Sequence, residues 1–136
     1  MNLAAGFEEI AHTADWALRV WAPDLEGLLE QAARGMYTLS GIEIGARPEL
    51  RRVLEIEAAD AEMLLVEFLE ELLYWAESER AAFHAFATEI AGLKLKAGLI
   101  GGPIQAWKKE IKAVTCHNLQ IQQTSRGLEV EIVFDV

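Results

Sequence analysis

Two aspartates lie at the margins of strand-like segments from opposite ends of this 136-residue chain. Asp15 closes Ala11-His12-Thr13-Ala14-Asp15, and Asp135 sits in the final Phe134-Asp135-Val136. If folding sets these segments side by side, the α-carboxylate of Val136 arrives with them. Clustered carboxylates repel one another unless a proton or a cation intervenes. The candidate metal ligands are therefore Asp15, Asp135 and Val136, an all-oxygen set that suits calcium, magnesium or manganese better than zinc. Taken singly, each aspartate has a plainer role. Asp15 reads as a turn residue accepting backbone N–H groups, and Asp135 as a charged residue on the wet side of a terminal strand. Only their meeting would make a site.

Other residues carry weaker signals. His12, His84 and His117 lack any Cys/His pairing at finger-like spacing. His84 lies between Phe83 and Ala85 in a strand pattern and reads as structural. His12 and His117 each follow an apolar stretch and are candidates to orient a carboxylate. Lys112 opens an apolar strand segment; it reads as a solvent-facing lysine, or as a cation that balances clustered carboxylates or touches a partner's phosphate. Nothing near Cys116 in sequence lowers its pKa, so a small buried or half-buried filler is expected. Glu67, Glu70 and Glu71 fall at helical spacing and read as a solvated helix face. There is no phosphate-cradling Gly-rich loop, dinucleotide fingerprint or serine nucleophile elbow.

The elements that must position these residues follow from periodicity. Phe7 to Ile10 reads as a short strand. Trp16 to Trp21 alternates as a second, with Trp16, Leu18 and Val20 on one face and Arg19 and Trp21 on the other. Asp24 is a helix N-cap, and Leu25, Leu28, Leu29, Ala32, Ala33, Met36 and Tyr37 have helical spacing up to a stop at Ser40-Gly41. Leu50 to Ala58 is a third strand. Asp60 opens a mostly apolar helix running to about Ser78, with a narrow acidic stripe. Phe83 to Ile90 and Leu93 to Ile100 read as strands joined tightly near Ala91-Gly92, Gly101-Gly102-Pro103 reads as a break, and the Gly/Pro-rich stretches Gly41 to Pro48 and Gly98 to Pro103 read as loops within one unit. Ile111 to Gln122 reads as extended. Ser125-Arg126-Gly127 reads as a hairpin turn with Gly127 left-handed. The last strand alternates Leu128, Val130, Ile132, Phe134 and Val136 with Glu129, Glu131, Val133 and Asp135, which puts Asp135 on the outer face. Strands gathered at the end of the order imply an α+β fold, a single domain of mostly antiparallel sheet covered by two helices.

Bulk composition narrows the function classes. With 52% hydrophobic residues the chain can bury one real core, and 136 residues suit one domain. The single cysteine rules out a disulfide framework and fits a reducing, cytoplasmic setting. The N-terminal residues lack a signal-peptide pattern, and no apolar run is long enough to span a bilayer. There are 22 acidic against 12 basic residues, a formal charge of -10. A polyanion would meet net repulsion, so direct RNA binding is disfavoured. Local basic clusters at Arg47, Arg51 and Arg52, and at Lys108, Lys109 and Lys112, read first as solvated strand ends. The acidity fits a cation or a basic protein surface better.

Four separated segments resemble one family, the archeases. They are Ala11-His12-Thr13-Ala14-Asp15 with the helix Leu25 to Met36; Leu64 to Tyr74; Glu110-Ile111-Lys112-Ala113-Val114-Thr115-Cys116-His117; and Val133-Phe134-Asp135-Val136. The resemblance implies an α+β protein that is not itself an enzyme. It implies an activator that promotes guanylylation and multiple turnover of an RtcB-type RNA ligase in tRNA splicing and RNA repair. It implies a divalent metal bound through carboxylates, with GTP and RNA held by the ligase. The functional positions it carries over are Asp15, Lys112 and Asp135. Cys116 stands where the family commonly has tyrosine and Asn118 where it has glycine; neither is one of those three. Two rival readings are a chaperone-like protein-interaction module and a stand-alone metal-dependent hydrolase of small phosphate esters.

Overall fold

A computed structural model describes residues 5–10 and 16–136 of the chain. The elements run β1 (Gly6–Ile10), β2 (Trp16–Ala22), α1 (Leu25–Ser40), β3 (Glu43–Ile44), β4 (Leu50–Glu57), α2 (Ala61–Glu79), β5 (Ala81–Ala91), β6 (Lys94–Ala106), β7 (Ala113–Val114), β8 (Gln122–Thr124) and β9 (Gly127–Asp135). They form two antiparallel sheets. In the first, β9 lies between β2 on one edge and the short strands β7 and β8 on the other, with β1 outside β2. In the second, β6 lies between β5 on one edge and β3 with β4 on the other. This is the α+β architecture expected from the element order.

Both helices start as their sequences dictate. The Asp24 carboxylate accepts from the Gly27 N–H at 2.8 Å and the Asp60 carboxylate from the Met63 N–H at 2.8 Å, each satisfying one orphan amide of a first turn. α1 ends at Gly41 in the left-handed region (φ 67°), a conformation that favours glycine. α1 packs on β1 and β2 of one sheet and on β5 of the other, while α2 packs on β4, β5, β6 and β7. The helices therefore bridge the two sheets. Leu28, Leu29, Ala32 and Met36 of α1 meet Leu64, Phe68, Leu69 and Leu72 of α2 in one continuous apolar cluster with Leu18, Val20, Val130, Ile132 and Phe134.

Three expectations change. Gly101-Gly102-Pro103 does not break the chain; β6 passes straight through it. A Cβ at Gly101 would strike the Ala82 carbonyl, and one at Gly102 the Gly45 carbonyl, so these glycines let neighbouring backbones close on the central strand. The stretch between Gly41 and Pro48 is not all loop, since β3 pairs there with the end of β6. The extended run from Ile111 to Gln122 is only the two-residue β7 and the first residue of β8. Between them the chain turns at His117-Asn118, where Asn118 takes a left-handed conformation (φ 57°) and the Leu119 N–H donates to the Cys116 carbonyl at 3.3 Å. Among the described residues no helix is long and apolar enough to cross a membrane.

Candidate functional site

Asp135 ends the strand on which the first sheet is built. On one side of β9, β2 pairs in a register that runs from Ala22 with Leu128 to Trp16 with Phe134. On the other side, β7 pairs Val114 with Phe134 and Ala113 with Asp135. The Lys112 N–H donates to the Asp135 carbonyl at 2.7 Å, and the Thr115 N–H to the Val133 carbonyl at 2.9 Å. Alternation sends Val130, Ile132 and Phe134 into the core and leaves Glu131 and Asp135 exposed, as the sequence pattern requires. Val136 follows, half-buried against the apolar cluster.

Asp15 and His12 lie outside the described residues. β2 begins at Trp16, the residue after Asp15 in the chain. β2, which starts one residue after Asp15, and β9, which ends at Asp135, are neighbours, and their register runs to Trp16 with Phe134. Lys112 is exposed and stands beside the backbone of Asp135. His117 is exposed too, and it lines a groove of about 700 Å³ over the outward face of β9. Thr115, Asn118, Gln122, Glu131 and Val133 line that groove as well, and Asp135 does not. The cation in its floor, Arg19, is shared among three carboxylates: Glu131 at 3.2 Å, Glu129 at 3.6 Å and Glu8 at 4.0 Å.

The donor types at the end of β9 fit a hard cation, because the side chain available is an exposed carboxylate. Among the described residues, however, no group of three or more His, Cys, Asp or Glu side chains is placed to hold a metal ion. Of the oxygen donors expected from the sequence, Asp135 and Val136 are described and Asp15 is not.

Cys116 corrects another expectation. It is exposed rather than a buried filler, because the chain has already passed the end of β7 at this point and Val114, Leu119 and Ile121 do the packing. His84 is exposed at the β5 irregularity between Phe83 and Ala85, so its strand position does not bury it.

The structure adds one residue that spacing did not single out. The Lys109 ammonium lies over the Trp16 ring, 4.5 Å from its centroid. The segment that delivers it is fastened to the end of α1. The Ser40 carbonyl accepts from the Lys108 N–H at 3.1 Å and the Lys109 N–H at 2.9 Å. The Trp107 indole N–H donates to the Lys109 carbonyl at 3.1 Å. The Lys-Lys pair was visible in sequence, but nothing there linked it to a tryptophan more than ninety positions away.

Comparison with known proteins decides the family. The Archease protein family model matches residues 7–136. The chain belongs to the archease family. The archease of Methanopyrus kandleri is 33% identical over 96% of this chain and 99% of its own length. That of Archaeoglobus fulgidus is 33% identical over 93% of this chain and 96% of its own. Among solved structures, the Thermotoga maritima archease, described as a possible chaperone, superposes with a TM-score of 0.70 at 25% identity, covering 95% of this chain and 96% of that one. The solution structure of Methanobacterium thermoautotrophicum protein 1598 shares the fold, with a TM-score of 0.69 at 24% identity over 96% of this chain and 99% of that one.

Proposed function

We propose that this archease promotes guanylylation and multiple turnover of an RtcB-type RNA-splicing ligase in tRNA splicing and RNA repair. In this reading a divalent cation is held by Asp15, Asp135 and the Val136 carboxylate, with Lys112 as the adjacent functional cation. The observation that carries the reading is the β2–β9 pairing: the strand that follows Asp15 lies against the strand that ends at Asp135. Family membership over nearly the whole chain supports it from a second direction.

The divisions of labour follow from charge. A cation bound there supplies a Lewis acid and a template for a phosphoryl group. Asp135 contributes one oxygen donor from a strand end that the core holds rigidly through Phe134. Lys112 presents an ammonium on the same rim, where it pairs with an anionic group brought by the ligase. A chain carrying a formal charge of -10 leaves RNA to the ligase and approaches a basic rim around the ligase's guanylylation centre.

The test is reconstituted ligation with limiting ligase and excess RNA. Wild-type protein should sustain many turnovers. Asp135→Ala, Asp15→Ala and Lys112→Ala, each with an unchanged folded signature, should lower the multiple-turnover rate by at least roughly tenfold. Full activity in both aspartate variants rejects the reading. A chaperone-like role is the second reading, favoured by the description given to the Thermotoga maritima relative. Protection of unrelated clients from aggregation, with no effect on ligation, would select it instead.

A further inference from the structure

We infer that the segment Trp107–Lys112 is a strap that holds the start of β2 against the end of β9, and that Lys109 is its positioning residue. This inference deepens the proposed function and takes its site from that reading. One short segment touches both strands that matter. At one end the Lys109 ammonium rests on the face of Trp16, the first residue of β2. At the other, the Lys112 N–H donates to the Asp135 carbonyl at 2.7 Å. Between these points Ile111 is fully buried and roots the segment in the core.

The strap is itself held from behind. Ser40, only 1% exposed, gives its carbonyl to two successive strap amides. A Cβ at Gly41 would come within 2.9 Å of the Lys108 Cβ, so the left-handed glycine both ends α1 and makes room for the strap. α1 has no basic residue in its last turn. The strap brings Lys108 and Lys109 to that end, where the helix dipole favours cations. Lys109 is thereby committed at its backbone to α1 and at its side chain to β2. An ammonium over an indole is favourable by electrostatic attraction to the ring face, and indole is the best of the aromatic platforms.

Two substitutions separate positioning from simple charge. Lys109→Met keeps the length of the side chain and loses its charge. Trp16→Leu keeps the lysine and loses the ring. Under a positioning role both should accelerate hydrogen exchange at the Lys112 amide and across residues 133–136 by about three- to tenfold, with the global unfolding midpoint little changed. Lys109→Arg, which also stacks on indole, should restore protection. In the limiting-ligase assay both variants should lose multiple turnover while Lys109→Arg retains it.

Exchange that is unchanged in both variants overturns the strap, whatever the ligation assay shows. Loss of turnover in Lys109→Met alone, with Trp16→Leu unaffected, also overturns it and assigns Lys109 a purely electrostatic role. If wild-type protein fails to activate any cognate ligase, the proposed function falls, and the exchange measurement still decides the strap.

Discussion

The Tyr37 hydroxyl is the one buried side-chain polar atom among the described residues without a hydrogen-bond partner. It lies near the Phe83 backbone where β5 is irregular, without reaching hydrogen-bond geometry. Burial pushes its phenol above the ordinary value, since ionisation in the interior would strand a charge. Removing an unpaired buried hydroxyl relieves its desolvation cost. Tyr37→Phe should therefore be neutral or stabilising by about 1 kcal/mol in urea denaturation at neutral pH. The alkaline dependence has a definite sign. Above about pH 10 the unfolded chain loses this proton before the folded one does, so stability falls as pH rises, by about 1.4 kcal/mol per unit from this group. Tyr37→Phe should flatten that part of the curve; an unchanged slope would mean that the phenol is not held neutral by the core. Asp135 is the opposite case. It is exposed at a strand end, so Asp135→Ala should cost little stability, and its effect should appear in ligase activation.

At the scale of elements, the passage of β6 through Gly101-Gly102-Pro103 shows what local reading misses. Glycine and proline weaken an isolated strand, yet here two missing Cβ atoms permit the backbone contacts that close the second sheet around its central strand. Gly102→Ala should destabilise the protein by about 2–4 kcal/mol, because the obstacle is the Gly45 backbone rather than a flexible side-chain tip. Gly98 in the same strand is the internal control. A Cβ there meets nothing nearer than 3.9 Å, so Gly98→Ala should stay within about 1 kcal/mol of wild type. Equal losses at the two positions, measured by denaturation, would refute the close-approach explanation. The helix starts were legible because capping is a contact over three residues, as Asp24 with Gly27 and Asp60 with Met63 make plain. The shortest strands, β3, β7 and β8, were not. Strands of two or three residues carry no alternation to read, and they exist only because β6 and β9 offer an edge to pair with.

At the scale of the whole molecule, the excess of acidic residues sets the terms of encounter. If ligase activation proceeds through charge complementarity, the association rate should fall by roughly tenfold or more between low and high salt, and activation at fixed concentration should fall with it. An association rate indifferent to salt would remove electrostatic steering from the account. The sequence by itself determined the two helices and their N-caps, the long strands apart from the second half of β6, the outward direction of Asp135 and the acidic character of the surface. Those features depend on periods of two or 3.6 residues, on contacts within a turn, or on composition alone. Tertiary structure decided what lies beside what. It set β2 against β9 so that Trp16 faces Phe134, put His117 in a groove with Glu131 and Val133, exposed Cys116, and laid Lys109 across Trp16. Such pairings join residues far apart in the chain, and they are fixed only when both sheets close on the helices between them and every buried amide must find a partner at once.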